Sequence, residues 1–96
     1  MNYSFHPHAE KELEDIESYY DSIREGLGNR FRGEIEMTIS RILKFPNGWQ
    51  PLSPVVRRCR LNSFPYGIIY RIKSREIRVL AVMHNHREPN YWTYRT

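Results

Sequence analysis

The chain has 96 residues, the size of one domain, with a single cysteine and a formal net charge of +4. One cysteine excludes a disulfide framework, and the length leaves no room for a second domain or a large cofactor pocket, so we expect one domain over residues 1–96. No apolar stretch is long enough to cross a bilayer, and the first residues lack the pattern of a signal peptide, so we expect a cytoplasmic protein with no membrane contact.

The charge is divided unevenly between the two halves of the chain. Residues 1–48 have a net charge of −3, residues 49–96 have a net charge of +7, and twelve of the fifteen basic residues are arginines. The planar guanidinium of arginine matches the oxygens of carboxylates and phosphates. The basic second half therefore favours an anionic partner, either a nucleic acid or an acidic protein segment, over a charged surface that only keeps the protein in solution.

The first half of the chain predicts a strand followed by two helices. Residues 2–6 form a short strand, and Pro7 suits the first turn of a helix. Apolar residues then recur at three- and four-residue steps, as in an amphipathic helix: Ala9, Leu13, Ile16, Tyr20 and Ile23. The outer face of this helix is acidic: Glu10, Glu12, Glu14, Asp15 and Glu17.

A Gly-Leu-Gly turn at 26–28 leads into a second helix. Its inward stripe is Phe31, Ile35, Ile39, Ile42 and Leu43. Residues 7–45 thus form a helical hairpin whose apolar stripes need a sheet to cover. After a proline-rich connector at 46–54, three strands are predicted at about 55–62, 64–73 and 76–86. The order β-α-α-β-β-β predicts an α+β fold with the hairpin on one face of a mainly antiparallel sheet.

Alternation along these strands assigns side chains to the two faces of the sheet. The face toward the helices collects Cys59, Leu61, Tyr66, Ile68, Tyr70, Ile72, Ile77, Val79, Ala81 and Met83. The opposite face collects Arg58, Arg60, Ile69, Arg71, Lys73, Arg78, Leu80, Val82, His84 and His86. Regular strands would place the arginines and both histidines on one open surface, whereas a β-bulge would move part of this set to the other face.

With this arrangement in view, the chain resembles the RelE/ParE superfamily of type II toxin–antitoxin toxins. The resemblance covers nearly the whole chain and depends on the order and spacing of several pieces. These are YY at 19–20, LGNRF at 27–31, the turn proline at 46, FPYGIIYRI at 64–72 and IRVLAVMHNHREPNYWTYR at 77–95. The family fold is a helical hairpin packed on an antiparallel sheet, in agreement with the prediction from the residues alone.

The resemblance implies a growth-arresting toxin that a cognate antitoxin neutralises in a hetero-oligomeric complex. ParE-type members inhibit DNA gyrase, whereas RelE-type members enter the ribosome and cut mRNA. The long helical hairpin and the FPY…Y segment favour the ParE side, and hence a gyrase inhibitor that is not itself an enzyme. A ribosome-dependent mRNA endonuclease is the alternative. A plain RNA-binding module is a lesser one, because the chain has no RNA-binding signature.

If the protein is a ribonuclease, its candidate catalytic residues are His84, His86, Arg58 and Tyr91. Either histidine can act as acid or base, Arg58 can hold the phosphate, and Tyr91 can stack on a base. These residues do not match one catalytic set of the family, so no catalytic role is carried over. The alternative is that both histidines are strand-end residues that position the C-terminal segment.

The candidate binding residues are mostly arginines. Those proposed to contact the target or a nucleic acid are Arg58, Arg60, Arg71, Arg78, Arg87 and Arg95. Those proposed to contact the antitoxin are Trp49, Arg58, Arg60 and Arg71, because the family resemblance implies an acidic, disordered antitoxin tail that would fold onto the arginine face. Trp49 has a second interpretation as a plug of the core. Trp92 is expected to fold back and close the core, and Tyr91 is left open between the core and a binding edge.

No cofactor or metal is expected. Two histidines on one strand would need a third and a fourth ligand to hold zinc. Cys59 is predicted on the other face of the sheet, and His6 and His8 lie at the other end of the chain.

Overall fold

The computed structural model describes residues 1–96 and confirms the predicted α+β fold, with one additional short strand. The helices and strands are β1 (Asn2–Phe5), α1 (Pro7–Ile23), α2 (Leu27–Lys44), β2 (Gln50–Pro51), β3 (Val56–Arg60), β4 (Tyr66–Lys73) and β5 (Glu76–His84). The addition is β2, which lies within the predicted connector and pairs with β3. Neither helix combines the length and the apolar character needed to cross a membrane.

The five strands form one sheet in the order β1-β5-β4-β3-β2. The hairpin of β4 and β5 lies at its centre, and every pair is antiparallel except β1 with β5, which is parallel. The first strand therefore enters the sheet beside the last one. The chain then crosses one face of the sheet as the helical hairpin before it returns to the edge strand β2.

The main core lies between the helical hairpin and the sheet. Its buried side chains from the helices are Ala9, Leu13, Phe31, Ile35, Ile39 and Ile42, and those from the strands include Cys59, Ile68, Tyr70, Ile77 and Val79. Ile16, Tyr20 and Leu43 are partly buried against them. Ile23, predicted to face inward, is exposed as the last residue of α1, so the apolar stripe of this helix is covered only as far as Tyr20.

The two helices approach each other closely at Gly28. Its backbone N–H donates to the Asp21 carboxylate at 2.8 Å, and a Cβ atom added there would lie 2.6 Å from the Glu17 carbonyl oxygen. Beside this contact, Arg32 donates two hydrogen bonds to the Glu17 carboxylate, at 2.7 and 3.0 Å. Glu17, predicted on the outer acidic face, thus joins α1 to α2.

A β-bulge between β4 and β5 corrects part of the predicted face assignment. Ile69 pairs with Ala81 and Tyr70 pairs with Val79, so Leu80 is an extra residue on β5. Because side chains alternate along a strand, the extra residue reverses the faces of every later position. Ala81 and Met83 therefore face away from the helices, and Val82 and His84 face toward them, opposite to the prediction.

The face away from the helices is not open as predicted, because the C-terminal segment, residues 85–96, folds across it. A second cluster of buried apolar side chains forms there, comprising Val56, Ile69, Leu80, Ala81, Met83 and Trp92. Trp92 is only 6% exposed, which confirms that it folds back to close a core. The expected surface of arginines and histidines is thereby reduced to the part that lies over β3.

Candidate functional site

Arg58 and Arg60 form the open, basic part of this face, which we call the β3 arginine pair. Their side chains lie on the same side of β3, since they are two positions apart. Arg58 donates from Nε and Nη2 to the Gln50 side-chain oxygen, at 3.2 and 2.9 Å, whereas Arg60 is exposed. Burial, and secondly the neighbouring Arg60, lower the pKa of Arg58. Two guanidinium groups side by side present a positive surface that an anionic partner would neutralise.

Gln50 holds Arg58 in place, a role that was not predicted from the sequence. The strand that positions Gln50 is only two residues long, too short for any periodicity to reveal it. Arg71 lies on the same face of the sheet, on β4, where it pairs with Val56 of β3 and Arg78 of β5. It lines a groove with Trp92 and is half-buried.

Arg78 is occupied by internal contacts. Its Nη1 donates to the Ser4 hydroxyl at 3.1 Å and to the Phe5 carbonyl at 3.0 Å, and its Nε donates to the Thr96 carbonyl at 3.1 Å. It therefore joins β1 and the C-terminal segment to β5. Because these hydrogen bonds occupy its guanidinium group, Arg78 is less available to a partner protein or nucleic acid than was predicted from the sequence.

Arg95 and Glu12 cover the part of the β5 edge that β1 does not reach. The pairing of β1 ends at Val79. Beyond it, Arg95 Nη1 donates to the Leu80 carbonyl at 2.9 Å, and the Glu12 carboxylate accepts from the Val82 N–H at 3.0 Å. Arg95 and Glu12 also pair with each other at 2.9 Å, with side chains 7% and 18% exposed. Arg95 is thus a structural residue, and Glu12, predicted on an outer helical face, is its partner.

Tyr91 lies half-buried beneath Arg87. The guanidinium carbon of Arg87 is 3.8 Å from the centre of the Tyr91 ring, and that of Arg95 is 5.1 Å away. Burial, with the Glu12 carboxylate nearby, raises the pKa of the Tyr91 hydroxyl. That hydroxyl is buried and makes no hydrogen bond of regular geometry. Arg87 is exposed and free to meet a partner, whereas the Tyr91 ring is already covered.

His84 lies at the end of β5 on the side of α1. Its ring is 5.0 Å from the ring of Tyr66, and its Nδ1 accepts the backbone N–H of His86 at 3.1 Å. In the neutral ring the proton therefore lies on Nε2, which is left to act as a hydrogen-bond donor. His86 follows the strand in a turn and is exposed. His84 and Arg58 lie on opposite faces of the sheet, so the four residues proposed for a ribonuclease do not meet in one site.

Trp49 packs against the main core and is partly buried. Its Nε1 donates to the Arg41 carbonyl at 3.4 Å, and its own carbonyl accepts from Arg57 Nη1 at 2.8 Å. These contacts favour its interpretation as a plug between α2 and the sheet. No three of the histidine, cysteine, aspartate and glutamate side chains are grouped so that they could hold a metal ion.

A solved structure described as "Chromosomal ParDE TA system from P. aeruginosa" superposes with a TM-score of 0.76, over 88% of this chain and 95% of that chain, at 20% identity. This likeness defines the class of fold, that of a small α+β domain with a helical hairpin packed on one sheet.

Sequence comparison gives the family. Toxin ParE2 of Mycobacterium tuberculosis, from strains CDC 1551 / Oshkosh and ATCC 25618 / H37Rv, is 30% identical over 86 residues, which are 88% of this chain and 82% of the relative. The family described as "ParE toxin of type II toxin-antitoxin system, parDE" matches residues 3–89. The chain therefore belongs to the ParE family of type II toxin–antitoxin toxins.

Proposed function

We propose that this ParE-family toxin arrests growth by inhibiting DNA gyrase and that a cognate antitoxin neutralises it. The observation that carries the proposal is the family match over residues 3–89, because gyrase inhibition is what the ParE side of the superfamily implies. The solved relative is described as a ParDE toxin–antitoxin system, which supports an antitoxin partner here as well.

The target contact that we propose is the β3 arginine pair. Arg60 is exposed, Arg58 is held by Gln50, and the two together form a fixed positive surface on the face away from the helices. Arg87 adds an exposed charge near the end of β5. We include the same pair, together with Arg71 and Trp49, in the proposed antitoxin contact, so that the antitoxin would occupy the surface that the target needs.

The test is a DNA cleavage assay with the purified protein, DNA gyrase, ATP and supercoiled plasmid. Inhibition that traps the broken DNA would produce linear plasmid after the protein is removed. Adding the antitoxin encoded beside this gene would abolish that product. Absence of linear DNA, together with unchanged supercoiling activity, would contradict the gyrase proposal.

A matched pair of variants tests the surface. Arg60→Glu reverses an exposed charge of the β3 arginine pair and should abolish the linear product. Arg75→Glu reverses an exposed charge at the turn between β4 and β5 and should leave it unchanged. Circular dichroism spectra would establish that both variants are folded. Equal activity of the two variants would exclude this surface as the target contact.

Cleavage of mRNA on the ribosome is the second candidate, favoured by one cleft. This cleft, of about 240 Å³, brings His84 and Arg87 together with the carboxylates of Glu12 and Asp15. A histidine beside an arginine is a reasonable pairing for phosphoryl chemistry. In this case His84→Ala should lower the rate of mRNA cleavage by about 10²-fold. His86→Ala changes an exposed residue outside the cleft and serves as the comparison.

A further inference from the structure

The two edge strands of the sheet differ in how much of their backbone is available to another strand. At one edge, β2 is only two residues long, and its Pro51 has no N–H to donate. The next two N–H groups, of Leu52 and Ser53, both donate to the Val56 carbonyl, at 2.8 and 3.2 Å. At the other edge, β1 is four residues long, contains neither proline nor a charged side chain, and has no strand on its outer side. The β1 edge therefore offers the more regular row of backbone groups to a further strand.

The pairing of β1 with β5 shows which of its backbone groups face outward. The His6 N–H donates to the Val79 carbonyl at 2.8 Å, so the even-numbered residues of β1 direct their backbone groups toward β5. The odd-numbered residues, Tyr3 and Phe5, direct theirs away from it. The Phe5 carbonyl accepts from Arg78 Nη1 at 3.0 Å. No backbone hydrogen bond outside the helices and strands involves the N–H or carbonyl of Tyr3 or the N–H of Phe5, so these three groups are free for a partner.

The side chains of the first five residues are sorted by face. Met1, Tyr3 and Phe5 are apolar and alternate to the side of the helices, where Phe5 packs partly buried against the main core. Met1 is 57% exposed and Tyr3 is 47% exposed, so most of this apolar row is uncovered. Asn2 and Ser4 are polar and face the other way. A strand that pairs with β1 must therefore present apolar side chains on the helical side and polar ones on the opposite side.

A second copy of β1 meets this requirement. Antiparallel pairing about a two-fold axis at Tyr3 places Met1 opposite Phe5 of the second copy on the helical side. On the other side, the same pairing places Asn2 opposite Ser4 of the second copy. The two Tyr3 residues exchange both of their free backbone hydrogen bonds, and their rings lie side by side. No charged side chain of β1 opposes this pairing, since the strand carries none.

The hydrogen bond from Arg78 favours this register over the next one. An axis at Ser4 would pair Tyr3 with Phe5 of the second copy. The Phe5 carbonyl would then have to accept the Tyr3 N–H while Arg78 also occupies it. An axis at Tyr3 joins the two copies at their centre through groups that are free in the single molecule.

We propose that the protein forms a two-fold dimer through β1, in which two five-stranded sheets join edge to edge into one continuous sheet. The assembly closes at two copies, because a two-fold contact uses the same edge of both molecules and the β2 edge is blocked. The contact is small, so we expect a weak dimer with a Kd of about 0.1 mM. The β3 arginine pair lies toward the other edge of the sheet and stays uncovered in this dimer.

Sedimentation velocity of the full chain between about 10 and 500 µM tests the proposal. The sedimentation coefficient should rise with concentration as for a monomer–dimer equilibrium. Tyr3→Lys and Tyr3→Glu each place like charges opposite one another and should weaken dimerisation by about tenfold or more. An equimolar mixture of these two variants should associate again, because lysine then faces glutamate. Tyr19→Lys, which changes an exposed tyrosine of α1, is the matched control and should dimerise like the parent protein. Circular dichroism would establish that all variants are folded.

A disulfide tests the register. Residues that exchange both hydrogen bonds in an antiparallel pair have Cα atoms about 5.5 Å apart, within the span of a disulfide. Mild oxidation of Tyr3→Cys should therefore give a covalent dimer. Asn2→Cys lies opposite Ser4 and not opposite itself, so it should cross-link far less. Cys59 is buried and does not compete.

Three results would overturn the proposal. The first is a sedimentation coefficient that stays constant up to about 500 µM. The second is a dimer that Tyr3→Lys leaves unchanged, which would place the contact elsewhere on the molecule. The third is a monomeric chain whose affinity for the antitoxin falls in Tyr3→Lys but not in Tyr19→Lys, which would assign the β1 edge to a strand of the antitoxin. None of these measurements depends on the outcome of the gyrase assay.

Discussion

Glu12 and Arg95 are 83 positions apart in the chain, yet their side chains share a short, largely buried contact. Burying two charges has a desolvation cost that their attraction offsets only when both are present. The same two residues also satisfy backbone groups of β5 at Leu80 and Val82. The loss of either side chain therefore leaves a buried charge and an unpaired backbone group.

Glu12→Ala should accordingly lower the free energy of unfolding by about 3–5 kcal/mol. Urea unfolding followed by circular dichroism measures this change. Asp15→Ala is the control, because Asp15 pairs with Lys11 on the exposed side of the same helix and should have little effect. A similar loss in both variants would show that the buried pair is not its cause.

His6 makes the stability of the protein depend on pH. Its Nδ1 accepts the His8 N–H at 3.0 Å at the start of α1, and burial, together with His8, lowers the pKa of His6 from 6.5. The unfolded chain therefore binds the proton more readily than the folded protein. The stability that the neutral His6 side chain contributes is present above pH 6.5 and is lost as the pH falls through the lower folded pKa.

His6→Asn keeps a side-chain oxygen for the cap and removes the titration. Chemical unfolding at a series of pH values between about 7.5 and 5 should show a smaller loss of stability in the variant than in the parent protein. If the free energy of unfolding changes with pH equally in the two proteins, the pH dependence belongs to groups other than His6.

The packing of the helical hairpin depends on the absence of a side chain at Gly28. An added Cβ atom would lie 2.6 Å from a backbone oxygen of α1, so Gly28→Ala should force the helices apart and cost about 1–3 kcal/mol. Gly33, also in α2, has no atom within 4 Å of such a Cβ, so Gly33→Ala should instead stabilise the helix by about 0.5–1 kcal/mol. Thermal unfolding of the two variants should give midpoints that move in opposite directions.

The C-terminal segment is a structural element in its own right, although only short turns form within it. Trp92 covers the second cluster, so Trp92→Ala should lower the free energy of unfolding by about 3–5 kcal/mol and the Tm by more than about 10 °C. Tyr19→Ala removes an aromatic side chain that is largely exposed, and should change the Tm far less. A small effect of Trp92→Ala would mean that the segment lies on the sheet without contributing to its stability.

The charge of the chain is segregated between its two halves. The acidic residues lie mostly in the half that forms the helical hairpin, and the second half, which forms β3, β4 and β5, has a net charge of +7. An acidic antitoxin segment would be attracted over a distance to the sheet side of the protein. Stopped-flow measurement of the association between the antitoxin and this protein should show a rate constant that falls clearly as the salt concentration rises. An association rate that does not depend on salt would count against docking of the antitoxin on the β3 arginine pair.

Much of this architecture was predictable from local pattern. The period of the apolar residues located both helices, and alternation placed Cys59, Ile68 and Tyr70 in the core correctly. The predictions that failed depend on contacts between distant parts of the chain. The extra residue at Leu80 reversed the last part of β5, and the partner of Glu12 lies near the other end of the chain. Local periodicity carries no information about such contacts, so the candidate site was predicted less completely than the fold.

The covered edge of β5 also bears on how these molecules behave toward one another. Residues 80–83 are Leu-Ala-Val-Met, an apolar strand segment that pairs with β4 on one edge and that β1 leaves without a strand on the other. Exposed segments of this kind recruit strands from other molecules and begin aggregation. Arg95 hydrogen-bonds the Leu80 carbonyl, and Glu12 hydrogen-bonds the Val82 N–H. These two backbone groups therefore cannot pair with a strand of a second chain. We therefore expect the contact that stabilises the folded protein to hinder its association through this edge as well.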